Sequence, residues 1–203
     1  MQPGPKRTAT LLATALITAV MARAQSLSSL HIGDPGARLA ALGKPTSTDT
    51  RNGNTVRKWT LPNGNDLSAT TDGSGRIIFI ESDWNGADDS PACDLPNLHF
   101  GKTTLAELRA RFGSNGFAFK ELSGQLLSSD GAVLVNSYEA NGVVITFYNK
   151  VSNKAAAQLD PEGQTTIADQ AKLDAISIAS PGYAKAEYGD RVYDPNYKPV
   201  TWK

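Results

Sequence analysis

The chain has 203 residues, with 20 Lys and Arg against 20 Asp and Glu, two histidines and one cysteine. Balanced charge without a Lys and Arg cluster excludes the electrostatic footprint of a nucleic-acid-binding protein. A lone cysteine excludes an intrachain disulfide framework, so stability must come from an apolar core; Cys93 reads as a free thiol or as one half of an intermolecular disulfide.

Residues 1–24 read as a secretory signal peptide. Lys6 and Arg7 precede an apolar run from Leu11 to Val20, and Ala22-Arg23-Ala24 offers a small-x-small cleavage site. The run is far shorter than the roughly 20 residues a membrane-spanning helix needs. Gln25, not a cysteine, follows the cut, so a bacterial lipid anchor is not supported. Without Lys6, Arg7 and Arg23 the remainder carries 17 basic and 20 acidic residues. The expectation is a periplasmic or secreted protein with no transmembrane segment and no lipid anchor.

Residues 25–84 read as a first repeat. Asp34-Pro35 is a helix-start signal, Leu39 and Leu42 mark an apolar face, and Gly43 with Pro45 supplies a stop, so a short helix is predicted over 35–42. Strands are predicted over 54–61, 66–71 and 76–84, joined through Pro62-Asn63-Gly64-Asn65 and Asp72-Gly73-Ser74-Gly75. Residues 85–96 lose periodicity and gather Gly, Pro and acids, and read as a linker. Asp83, Asp88, Asp89 and Asp94 lack the Asp-x-Asp-x-Asp-Gly spacing of a calcium loop.

A second repeat is predicted over 97–180. Leu98-His99-Phe100-Gly101 stands as Leu30-His31-Ile32-Gly33 stands earlier, and Phe112-Gly113 as Leu42-Gly43. Thr104 and Glu107 have capping-box spacing, and Leu105, Leu108 and Phe112 share one helical face. A helix this short is marginal alone, so that face must be buried on strands. Those are predicted over 117–120, 125–127, 132–140 and 143–150, the last two turning through Asn141-Gly142, and then 173–179 after an insertion, 152–172, with a helical turn near 167–171. The tail, 181–203, spaces Tyr183, Tyr188, Tyr193, Tyr197 and Trp202 at four or five residues; it reads as an extended arm packing its rings along the sheet, or as an aromatic binding surface. The predicted fold class is therefore α+β: two tandem repeats, each a short helical segment followed by an antiparallel β-meander, packed into one pseudo-symmetric unit.

The order of short helix, Leu42-Gly43-Lys44-Pro45, a strand centred on Trp59 and the hairpin Asp72-Gly73-Ser74-Gly75-Arg76-Ile77-Ile78 resembles the small envelope modules of the BamE (SmpA/OmlA) type. Those are similar in turn to the tandem β-lactamase-inhibitor-protein (BLIP) fold. Residues 100–105 and 111–113, with Tyr138 where Trp59 stands earlier, carry the likeness into the second half. The resemblance implies two helix-plus-sheet repeats sharing one concave surface. Two features depart from it: BamE proteins are lipid-anchored through a cysteine, and the inhibitors brace their repeats with disulfides.

Chemistry-bearing patterns are sparse. His31 and His99 each precede the Gly that opens a predicted helix, which suits architectural duty; no Gly-x-Ser-x-Gly, His-Glu-x-x-His or phosphate loop occurs. Glu81 and Asp83, two apart on one strand, share a face as paired carboxylates would, and a solvated sheet face accounts for them equally well. The expected function is a non-catalytic binding module for a protein partner of the cell envelope, with Trp59 and Tyr138, and secondarily Trp84 and Tyr148, as interface anchors. No cofactor, metal or nucleic acid is implied. The alternative is a secreted inhibitor that presents the 83–94 loop to a hydrolase; an enzyme using Glu81, Asp83 or His99 is a third reading.

Overall fold

A computed structural model describes residues 26–86, 94, 97–121, 125–129, 131–159 and 166–200. The signal peptide read over 1–24, Cys93 and Trp202 lie outside the described residues. Two short strands, β1 (Ser26–Leu27) and β2 (Leu30–His31), pair as a hairpin and lead into a 3-10 helix, Gly36–Leu42. The expected start signal works differently from prediction. The Asp34 carboxylate accepts from the His31 amide (3.0 Å) and the Arg38 guanidinium (2.9 Å), so it ties down the preceding turn instead of capping helix amides.

Four strands follow as a meander: β3 (Ser47–Arg51), β4 (Asn54–Thr60), β5 (Asp66–Thr71) and β6 (Ile77–Asp83). The helix α1 (Leu105–Phe112) carries the predicted capping box, with Thr104 Oγ1 accepting from the Glu107 amide at 3.0 Å and Glu107 accepting from the Thr104 amide at 2.7 Å. Then come β7 (Phe117–Phe119), β8 (Gln125–Ser128), β9 (Gly131–Ala140) and β10 (Val143–Ser152), the last two joined by Asn141-Gly142, both at positive φ. Among the described residues the insertion holds two single turns, α2 (Asn153–Ala156) and α3 (Ile167–Gln170), ahead of β11 (Lys172–Ala179). The tail is not an extended arm. It forms α4 (Pro181–Tyr188), capped by the Ser180 hydroxyl, and a short strand, β12 (Arg191–Tyr193).

β3 to β7 and β9 to β12 run through one antiparallel sheet in the order β12-β7-β9-β10-β11-β6-β5-β4-β3, and β8 pairs the other end of β9. This corrects the predicted fold class. The molecule is dominated by one large antiparallel sheet with few, short helical segments, not by two helix-plus-meander repeats packed together. The reason lies in the pairing of β6 with β11, Ile80 opposite Ile178, which fuses both halves into a single layer. Ala69, Ile80, Ile178, Ile145 and Tyr138 follow one another across five strands on one face. That face packs against Leu27 and Leu30 of the hairpin, Leu39 of the 3-10 helix, and Leu98, Phe100 and Leu108 around α1. The largest apolar cluster takes in residues of both halves, and two smaller ones lie around Phe79 and Phe117 and around Leu105 and Val151.

Two outcomes follow for stability. Urea unfolding is expected to be a single transition in fluorescence and circular dichroism alike, and Ile80→Ala, at a side chain with 0% exposure, should lower stability by about 3 kcal/mol without splitting it. Two resolved transitions would show that the halves fold separately. Thr104→Ala should cost about 1 kcal/mol in the same measurement through the lost cap.

Candidate functional site

Strand alternation gives the sheet a second face of opposite character. Its central row runs Lys58, Ser68, Glu81, Ser177, Thr146 and Ser137 across β4, β5, β6, β11, β10 and β9. To one side lies a row of Thr60, Asp66, Asp83, Ala175, Tyr148 and Val135, and to the other Val56, Thr70, Phe79, Ala179, Val144 and Glu139. The floor is thus built of small hydroxyl and methyl side chains, and Ser137 and Thr146 hydrogen-bond each other at 2.9 Å. Glu81 and Tyr148 are the large groups that rise beside it.

The chain's last elements cover the more apolar part of this face. Tyr183 of α4 meets Phe79 with ring centroids 5.4 Å apart, Tyr188 meets Phe119 at 5.5 Å, and Ala184 is fully buried between them. Beyond α4, Arg191 pairs with Glu139 and lies over the Phe117 ring at 4.8 Å, while the Glu139 amide donates to the Tyr197 hydroxyl at 3.0 Å. These contacts place α4 over the Phe79, Ala179 and Val144 row, beside the central one.

Glu81 sits where the covered and open parts meet. Burial and the neighbouring Asp83 carboxylate push its carboxyl up to about 7, against the opposing pull of Lys58 and a hydrogen bond with Tyr148. Asp83 is itself raised by burial and by Asp66 and Asp174. The Tyr148 phenol is held protonated by burial and by Glu81, lies 3.4 Å from the Ser177 hydroxyl and is hydrogen-bonded with Tyr188 of α4. The Tyr188 phenol is also pushed up, by burial and then by Tyr148 and Glu81. A carboxyl that changes charge near neutrality is therefore surrounded by hydroxyls that stay neutral.

The sequence-predicted anchors fall in different places. Trp59 is 3% exposed and Tyr138 is 0% exposed, both in the core on the first face, which removes them as anchors for a partner. Trp59 Nε1 donates to the Gly43 carbonyl at 3.1 Å, and the Tyr138 hydroxyl donates to the Ser114 carbonyl at 2.8 Å, with the Phe112 ring tilted against it at 4.5 Å between centroids. Each ring thus pins the turn that ends the neighbouring helical segment, and an aromatic residue in a strand looks the same in sequence whichever face it takes. Trp84 is half-buried, its indole closing over Gly101, where a Cβ would lie 2.3 Å from the ring. It lines a groove of about 520 Å³ at the sheet's end with Lys150, Gln170, Lys172 and Asp174. Tyr148 alone of the four rises from the second face.

The other candidates resolve as follows. Glu81 and Asp83 do share a face, as predicted, and both are half-buried there. His31 and His99 belong to the elements that cover the first face; the His99 amide donates to Thr103 Oγ1 at 2.9 Å. Of the acidic loop, residues 87–93 lie outside the described residues, while Asp94 accepts from the Ser26 hydroxyl and, at 2.8 Å, from the Ser29 amide. Among the described residues no group of three or more His, Cys, Asp or Glu side chains is placed to hold a metal ion, and no helix is long and apolar enough to cross a membrane. Lys58, Ser68 and Ser177 were not singled out in the sequence, because they reach Glu81 only through strand pairing, Lys58 and Ser68 across β4, β5 and β6 and Ser177 across β6 and β11.

No protein-family model matches the chain, and no curated protein matches it. Among solved structures, the chain is similar to an extracellular protein containing an SCP domain from Bacillus anthracis str. Ames, at 9% identity and a TM-score of 0.47. The match takes in 98% of this chain and 56% of that one, so the chain spans little more than half the length of that protein.

Proposed function

We propose that the chain is a non-catalytic binding module of the periplasm or the extracellular space, and that a protein partner of the cell envelope docks on the part of the second face that α4 leaves uncovered. The observation that carries this reading is the exposed polar stretch at the β3–β6 end. Lys58, Thr60 and Asp66 are exposed there beside half-buried Asp83, and Tyr148 stands next in the same row. Asp66 and Asp83 are direct cross-strand neighbours, an arrangement of like charges that destabilises a sheet unless something offsets it. A Lys or Arg of a partner would do so. The surface continues into a shallow groove of about 390 Å³ lined by Ser47, Asp49, Arg51, Val56 and Lys58.

The compartment rests on the signal-type N-terminus, and the resemblance of 42–45 and 72–78 to envelope binding modules points the same way. The non-catalytic part rests on the separation of the histidines, which belong to the first face, from the carboxyls and hydroxyls of the second. A histidine base works only within hydrogen-bond reach of its nucleophile and orienting acid.

Site-specific photocrosslinking in cells tests the reading. A probe at position 58 or 66 is expected to yield one and the same protein adduct, and a probe at position 38, on the helix-covered side, none. Asp83→Lys should weaken that adduct by about tenfold by adding a like charge against a basic partner. Equal labelling from position 38, or no adduct at either face position, would overturn it.

A further inference from the structure

We propose that the cavity between the start of α4 and β12 binds a phosphoryl group, held by the Arg191 guanidinium, the Lys185 ammonium and the Gly182 amide. The site lies at the β12 end of the sheet, away from the β3–β6 end where a partner docks in the reading above, and it is independent of that reading.

Arg191 is held in place before any ligand arrives. Its Nη1 donates to Glu139 and, at 3.2 Å, to the Tyr193 hydroxyl, its guanidinium lies over the Phe117 ring at 4.8 Å, and its side chain is 16% exposed. Both hydrogen bonds use Nη1, so among the described residues Nε and Nη2 donate to nothing. That edge of a guanidinium carries two parallel N–H groups, the fork that matches two oxygens of a phosphate or a carboxylate. An arginine packed on a ring and anchored through one nitrogen loses little freedom when its other edge is engaged.

The cavity that Arg191 lines has a volume of about 680 Å³, and Gly182 and Lys185 of α4 line it too. These two stand three residues apart and so share one face of the helix. In the first turn of α4, Pro181 carries no amide hydrogen, the Tyr183 amide donates to Ser180 Oγ at 3.2 Å, and the Ala184 amide donates to the Ser180 carbonyl at 3.0 Å. The Gly182 amide is the donor of that turn left without an acceptor among the described residues, and a Cβ at this position would meet nothing within 4 Å, so the backbone here is open to a ligand. Lys185 makes no ion pair among the described residues. The acids of the cavity are engaged: Glu139 pairs with Arg191, and Asp190 lies 3.7 Å from Lys120, while Glu121 stands beside Gly189 without lining the cavity. An arginine fork, an ammonium and an amide together offer more donors than the two oxygens of a carboxylate can use, and they suit the three terminal oxygens of a phosphate monoester. The volume leaves room for the organic body of a small ester.

Two-dimensional NMR of the full chain, with glycerol 3-phosphate as the probe at about 150 mM salt, reads the site directly. The Gly182 amide and Arg191 Nε–H resonances are expected to shift together and saturate with a midpoint of about 1 mM, and acetate is expected to bind about tenfold more weakly. Arg191→Lys, which keeps the charge and loses the fork, should weaken binding about tenfold. Lys185→Met, at an exposed position, should weaken it about threefold. No saturable shift at the two resonances, acetate bound as tightly as the phosphate ester, or an unchanged midpoint in Arg191→Lys overturns the assignment. Should Arg191→Lys fail to fold, an unchanged midpoint in Lys185→Met overturns it instead. Sedimentation with vesicles containing phosphatidic acid separates the two sources of such a group: pelleting that Lys185→Met weakens supports a lipid headgroup, and glycerol 3-phosphate binding without pelleting supports a soluble ester.

Discussion

The backbone pairing of β6 with β11 is the constraint on which everything else depends. These strands are about a hundred residues apart in sequence, and their register places Ile80 against Ile178 on one face and Glu81 against Ser177 on the other. The first contact makes the core continuous; the second assembles the polar row. A slip by one residue would exchange the two faces, sending Glu81 into the core and Ile80 toward α4. The same few hydrogen bonds thus decide both whether the sheet is one body and whether the site exists.

Stability and site chemistry divide between the two faces. The first face is a conventional apolar layer, with Trp59 and Tyr138 adding side-chain hydrogen bonds that fix the helical segments at defined angles. The second face is floored with Ser, Thr and Ala, which satisfy one another or leave room, and its only dense packing is the aromatic cluster beneath α4. A small-residue floor leaves space for groups laid upon it, as the chain's own helix is laid at one end.

Local signals were readable wherever a short stretch determines its own shape. The capping box of Thr104 and Glu107, the Asn141-Gly142 hairpin and the alternation of β11 all follow from neighbours within a few residues. The strand β3 was missed although Asn52-Gly53 is the same turn signal, because Ser-Thr-Asp-Thr-Arg is exposed at every position and so carries no alternation. The start of α4 is written in Ser180-Pro181, a helix start as good as any in the chain, but the aromatic spacing of the tail after it fits no single helical face. What no local reading supplies is which face a residue takes. Trp59 and Tyr148 are both aromatic strand residues, yet one is core and the other rises beside Glu81. The merging of two meanders into one sheet is equally invisible, since it depends on a pairing between distant strands.

The exposed strand β3 has a consequence for how this molecule behaves in company. It is the last strand of the sheet among the described residues, and a bare sheet edge invites growth by copies of itself. Its sequence discourages that. An antiparallel approach of two copies centred on Asp49 sets carboxylate against carboxylate, and the Arg51 that neutralises each is already held by its own chain. In a crowded compartment such a border keeps the sheet finite, because growth by edge-to-edge addition of copies is opposed at the strand where it would begin.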